Sequence, residues 1–508
     1  MLGTFPLRPS LDGRSLVTAD GQPYFIAGEW VPTMVTQLST ADAELSYFAP
    51  RRRAGFNAAI IELACHQTAI SSDFPAAWNG EQPYLLNTSG GAYDGTSGTA
   101  LLDGSNLNED YLTYFDQIMD IAERYDYLVA LYVLAWGFEG SGTQGWWPDI
   151  ENATNTTTTL ASLGTTLANG FGAFRGLKTR KNLIIVVGSD SGDSNPVGLR
   201  PSAGGQAKAR AMIDAMRTAG CSQLIYGDWR APSLSTSQPG FDDLSQLNGI
   251  YTYGDVYPFE GVFTAGTQTY QQSRPSWQYV PTSASQGPTG SAGPPRAIPG
   301  FMKETMFENP NFSGAGLPRQ LRYAHWWSIL SGGTTGLFYG NDLVWSLIDG
   351  TWQANMASTG AADMTRLVAF IANTPGWQKL IPSEQVGVRR LVTSSNGTQA
   401  GAPTDYVSSA QSLDGSLALF YFPDSTGSTA QQSATLDLLG MAAPIRLRWW
   451  DPTNNRYTNV TLNGSYSQRP SSGIVVTTPA GGNSAGNGDW MLVADIPGPR
   501  ASSEILVF

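Results

Sequence analysis

Over roughly the first three-quarters of the chain, hydrophobic residues come in two alternating patterns. Short, nearly unbroken apolar runs occur at PYFIAGEW (23–30), FNAAIIELA (56–64), YLVALYVLA (127–135), NLIIVVGSD (182–190), SQLIYGDW (222–229), GIYTYGDV (249–256), AIPGFMKET (297–305) and TTGLFYGND (334–342). A continuous run of this length bounded by turn residues reads as a strand buried on both faces. Between the runs, apolar residues recur at helical spacing. In NEDYLTYFDQIMDIAERYD, for example, Tyr111, Phe115, Ile118, Met119 and Ala122 share one face.

Further helices are expected at TLASLGTTLANGFGAF, AKARAMIDAMRTAG, LPRQLRYAHWWSILSGG and AADMTRLVAFIANTPG. ADAELSYFAPRRRAG should be kinked or shortened by Pro50, with Arg51–Arg53 as its polar end. Strands alternating with helices predict a parallel sheet, and eight such units predict an α/β fold of the closed (β/α)8, or TIM, barrel type. An open doubly wound sheet is the alternative, but no GxGxxG or GxxxxGK[ST] loop follows any run.

From about residue 377 the helical period stops. SLALFYFP, SATLDLLG, PIRLRWWDP, RYTNVTL, GIVVTTP, DWMLVAD and EILVF are short strands between Gly, Asn and Ser turns. That pattern predicts a small antiparallel β-sandwich. The expected organisation is a barrel over 1–376 and a sandwich over 377–508.

Composition narrows the function. The 508 residues carry a net charge of −12 and no basic cluster, which argues against a nucleic-acid partner. No stretch approaches 18 consecutive apolar residues, so no membrane span is expected. Two cysteines, Cys65 and Cys221, are too few for a disulfide framework or a structural zinc site. The two histidines, His66 and His325, fall in different units, so neither a metal nor another cofactor is expected. Only 14% of residues are charged. That surface suits a secreted or periplasmic protein whose signal has been removed, with a cytoplasmic location as the alternative.

In a (β/α)8 barrel, reacting groups sit where strands end, at the C-terminal face. Here those ends carry Glu29 and Trp30, Glu62 and His66, Trp136, and Asp190. They continue with Asp228, Trp229 and Arg230, then Tyr253 and Asp255, then Glu304, and finally Tyr339, Asn341 and Asp342. Acids and aromatics gathered at one end suit carbohydrate, because rings stack on sugar faces and carboxylates accept hydroxyl hydrogen bonds. Two acids can then cleave a glycosidic bond, one protonating the leaving oxygen and the other attacking the anomeric carbon or activating water. Asp190 ends the fourth strand and Glu304 the seventh, positions that carry the paired carboxylates of many retaining barrel glycosidases. Glu308 competes with Glu304. The remaining strand-end residues become candidate sugar contacts. The long segments 65–107 and 136–150 are expected to wall the site, with Trp146 and Trp147 either shaping a subsite or anchoring the loop.

Several blocks in order, DGQPYFIAGEW, RRRAGFNAAIIEL, NLIIVVGSD, YGDWRAP, GFMKETMFENP and RYAHWWSILSGGTTGLFYG, resemble the apiosidase-like glycosidases, glycoside hydrolase family 140. RLRWWDPTNNRY is similar to the small sandwich that commonly follows that barrel. The resemblance implies an exo-acting glycosidase whose catalytic Asp and Glu fall on Asp190 and Glu304. Ser189 and Lys303 stand where the family has smaller residues, and Gly28-Glu29-Trp30 and Asp228-Trp229-Arg230 depart from its strand-one and strand-five motifs. The expected reaction is removal of a terminal sugar, a furanose such as apiose, from a plant-type glycan, with retention. The competing reading is a non-catalytic carbohydrate-binding or adhesion protein on the same barrel.

Overall fold

A computed structural model describes residues 4–66, 75–137, 145–191, 202–229, 246–251, 297–305, 307–309, 317–348, 350–383, 390–395, 406–424, 429–460, 462, 467–468 and 471–497. Eight parallel strands form one sheet: β1 (Ile26–Trp30), β2 (Ala58–Glu62), β3 (Leu128–Ala135), β4 (Leu183–Ser191), β5 (Leu224–Trp229), β6 (Asn248–Tyr251), β7 (Gly300–Glu304) and β8 (Gly336–Tyr339). Their spatial order is β5-β4-β3-β2-β1-β8-β7-β6. A parallel bridge between Tyr226 and Leu247 joins the two ends of that order, so the sheet closes on itself. The α/β reading of the sequence is thus correct: six strands fall within their apolar runs, while β4 runs one residue past its run to Ser191 and β6 starts one residue before its run at Asn248.

Alternation along the strands sorts side chains into two cores. Ile26, Ala58, Ile60, Leu128, Ala130, Ile184, Val186, Leu224, Phe301 and Phe338 fill the barrel interior. Ala27, Ala59, Val129, Ile185 and Met302 belong to or face the outer layer against the helices. The interior is packed closely enough to demand glycine: a Cβ on Gly28 would lie 2.2 Å from the Phe338 ring, and one on Gly249 the same distance from the Tyr226 hydroxyl. A short antiparallel meander (Arg8–Pro9, Leu16–Val17, Pro23–Tyr24) plugs the N-terminal end with Leu7, Leu16 and Tyr24.

The outer helices include α1 (Glu109–Arg124), α2 (Thr157–Asn169), α3 (Ala203–Thr218), α4 (Pro318–Leu330) and α5 (Thr359–Ala372). All five face residues anticipated on α1 are fully buried. The segment containing Pro50 stays helical by changing pitch: Ala43–Phe48 is a π-helical stretch, and a fresh α-helical turn begins at Ala49. Proline has no N–H to donate to the preceding turn, and the wider π turn absorbs the loss. Arg51 is not the polar helix end expected of it but is 1% exposed.

The C-terminal part holds two antiparallel sheets. One contains β9 (Leu380–Pro382), β11 (Ser408–Ser412), β12 (Leu417–Phe422), β14 (Ile445–Asp451), β15 (Arg456–Asn459) and β17 (Trp490–Asp495). The other contains β10 (Val392–Ser394), β13 (Ser433–Asp437) and β16 (Ser472–Thr477). Ala418, Phe420, Leu436, Leu447, Val476 and Leu492 pack in the core of this sandwich. β9 to β11 were not anticipated, and EILVF lies outside the described residues. The sandwich shares a core with the barrel: Trp326 on α4 and Phe370 on α5 meet Trp450 at 5.7 and 4.3 Å between ring centres. Arg322 reaches Asp363 at 2.7 Å and Asp489 of the sandwich at 2.8 Å. No helix among the described residues is long and apolar enough to cross a membrane.

Candidate active site

The inward phase of the strands decides which strand-end residues face the barrel lumen. On β1 that phase runs through Ile26 and Gly28 to Trp30, which packs against the interior cluster. Trp30 lies 6.1 Å from Tyr132 of β3 and 6.3 Å from Phe307, while Phe307 in turn lies 6.4 Å from Trp345. Tyr132 is buried in the barrel interior, whereas Trp30, Phe307 and Trp345 are partly exposed. The Trp30 indole N–H donates to the main-chain carbonyl of Lys303 at 2.8 Å.

Asp228, inward on β5, is wholly buried and holds three partners. The Lys303 ammonium from β7 and the Tyr132 hydroxyl make close contacts with its two oxygens, and the Tyr226 hydroxyl donates at 3.2 Å. A lysine buried in the barrel needs a buried counter-charge, and Asp228 supplies it. The sequence marks Lys303 only as a departure from the family pattern, and it marks neither Tyr132 nor Tyr226. The signal for Lys303 was present, since it follows Phe301 on the inward phase of GFMKE.

Glu62 ends β2 two residues after inward Ile60. It pairs in register with Tyr132. Although the side chain keeps some accessible surface, the packing around it pushes its carboxyl up to about 8, and the Cys65 thiol offsets this only in part. Burial is the larger cause because it penalises the charged form. Glu304 is the last residue of β7, 7% exposed. Asp190 lies within β4, whose pairing with β5 shifts register between Gly188 and Ser191. Trp229 closes β5, whereas Arg230, Tyr253 and Asp255 lie outside the described residues.

Four of the proposed sugar contacts are turned elsewhere. Glu29 is on the outward phase of β1, where Arg51 holds both of its oxygens and Tyr47 donates at 2.9 Å. Tyr339 is likewise outward on β8, hydrogen-bonded to Glu308. Glu308 itself accepts from Ser358 at 2.7 Å and from the Gly360 N–H at 3.1 Å, at the N-terminus of α5. It is a helix-capping acid. Trp136 packs with the outer core. His66 is enclosed by Trp146, whose ring centre lies 4.4 Å away, by the Tyr93 hydroxyl at 3.4 Å and by Asp149 at 3.6 Å. Burial pushes the imidazole down to about 4 and the Asp149 carboxyl up to about 7. Trp146 anchors the loop, donating its indole N–H to Ala64 at 2.8 Å. His325 is buried within α4.

A parallel eight-stranded barrel with aromatic rings and acids at the C-terminal strand ends, followed by a sandwich, suits a glycoside hydrolase, and the family match makes the protein one. The chain belongs to the apiosidase-like family, whose catalytic-domain model matches residues 10–378. Among solved structures, it is similar to a glycoside hydrolase family 5 protein from Bacteroides vulgatus, at 16% identity and a TM-score of 0.66, covering 97% of this chain and 93% of that one. A second structure, described as a glycoside hydrolase, is similar at 15% identity and a TM-score of 0.66, covering 97% of both chains. Those likenesses establish the shared fold. No curated protein matches the chain.

Proposed function

We propose that this glycoside hydrolase removes a terminal furanose of the apiose type from a plant-type glycan or glycoside, with retention of anomeric configuration. The observation that carries the reading is that two strands of one parallel barrel run out into acids at its C-terminal edge, β4 through Asp190 and β7 to Glu304. The family match supports the reaction class and, through its description, the sugar. Trp30 and Phe307 offer ring faces to the sugar.

In the first step the Glu304 carboxylate attacks the anomeric carbon while Asp190 gives its proton to the departing glycosidic oxygen. In the second, Asp190 takes a proton from water, which displaces Glu304 and releases the sugar. Retention requires carboxyl groups about 5 Å apart, and inversion a wider gap that admits water.

The test is a screen of aryl glycosides and plant oligosaccharides for released monosaccharide, followed by proton NMR of the first anomer formed. Asp190→Asn and Glu304→Gln should each lower turnover by about 10³-fold or more without loss of folding. Near-wild-type turnover in either variant removes that residue from the reaction. First release of the inverted anomer removes Glu304 as nucleophile.

A further inference from the structure

Strict alternation along β7 would send Glu304 outward. Phe301 packs in the barrel interior and Met302 in the outer core, so Lys303 is due inward and Glu304 outward, among the helices. The pairing with β6 breaks that alternation. Gly300, Phe301 and Met302 oppose Asn248, Gly249 and Ile250 in step, but the next partner, Tyr251, stands opposite Glu304. Lys303 is therefore the extra residue of a β-bulge immediately before the strand's acid. The register with β8 runs through Met302, opposite Leu337.

Other contacts hold Lys303. Its ammonium is bound by Asp228 of β5, with both groups at most 1% exposed. Its carbonyl accepts the indole N–H of Trp30 from β1 at 2.8 Å. Trp30 belongs to a strand that is not adjacent to β7 and packs against the lumen cluster, so this carbonyl is turned out of the sheet toward the lumen. Both ends of the Lys303 residue are thereby clamped across the barrel. Asp228 is fixed in turn by the hydroxyls of Tyr132 and Tyr226.

We propose that Lys303 is a positioning residue: its bulge, held by Asp228 and Trp30, aims the Glu304 carboxylate at the sugar. Bulges re-aim side chains in this way beside active sites. Asp228 then serves the reaction through Lys303 rather than by gripping the sugar. This inference rests on the assignment of Glu304 as the nucleophile.

Lys303→Met alone strands a buried carboxylate and endangers the fold, so the informative protein is the Lys303→Met/Asp228→Asn double variant, which removes both charges and keeps both shapes. Two readouts apply to the full-length protein: its crystal structure, and kcat and KM on 4-nitrophenyl apiofuranoside. The double variant should keep the wild-type melting temperature within a few degrees and show the Glu304 carboxylate displaced by about 1 Å or more, a displacement that costs about 10²-fold in rate. That loss should fall on kcat with KM little changed. Superposition of the bulge and the Glu304 carboxylate on wild type overturns the proposal, whether or not the furanoside is cleaved. Wild-type kcat in the double variant overturns it as well. Failure of the nucleophile assignment is seen separately, as retained turnover in Glu304→Gln.

Discussion

Arg51 holds both carboxylate oxygens of Glu29 on the outside of the barrel, where neither side chain retains more than 2% of its surface. This pair joins the end of β1 to the helical turn that begins at Ala49. Truncating Arg51 to Ala leaves Glu29 buried without its counter-charge, and such losses cost about 3–5 kcal/mol. Chemical denaturation should register that loss, while KM on a cleaved glycoside stays at the wild-type value. A raised KM with unchanged stability would instead mark Glu29 as a sugar contact.

Glu308 and Glu304 lie four residues apart in sequence and should respond in opposite ways. Glu308 accepts from Tyr339, Ser358 and the Gly360 N–H. Glu308→Ala should therefore cost about 1–3 kcal/mol of stability and leave kcat unchanged in the folded fraction. Thermal melts paired with active-site titration separate the two effects.

Glu62 gives a pH signature. Its carboxyl is raised to about 8 in the folded protein by burial, against about 4.3 in an unfolded chain. Between those values the folded chain holds a proton that the unfolded chain has lost, so stability falls as pH rises through this window. The neutral form's contribution is complete below the unfolded value and gone above about 8. Glu62→Gln removes the titration. Its melting temperature relative to wild type should be more favourable at pH 9 than at pH 5, and a difference independent of pH would refute the assignment.

The sandwich should not be dispensable. Ending the chain after Gly376 would uncover Trp326 and Phe370, which pack on Trp450, and would take Asp489 from Arg322. Exposed apolar surface of this kind promotes association. The truncated barrel should be recovered aggregated or binding a hydrophobic dye. A soluble, cooperatively melting and active 1–376 fragment would show the two parts to be independent.

What the sequence determined by itself was the periodicity, and periodicity carries a great deal. Uninterrupted apolar runs such as LIIVV can be satisfied only by burial on both faces, so the parallel barrel, its eight strands and the face of α1 were legible in one dimension. The acids at strand ends were legible too, since a carboxylate closing an apolar run stands out against its neighbours. Which way each acid turns was not. Glu29 is the penultimate residue of its strand and Glu62 the last of its own, yet their phase sends the first outward to Arg51 and leaves the second following inward Ile60. Phase depends on register with the neighbouring strand and on bulges, both of which are properties of pairing. The partner that neutralises Lys303 is likewise 75 residues away on another strand. Only the closed barrel brings that charge to Asp228, because the cost of burying a charge is decided by what lies beside it in space, not in sequence.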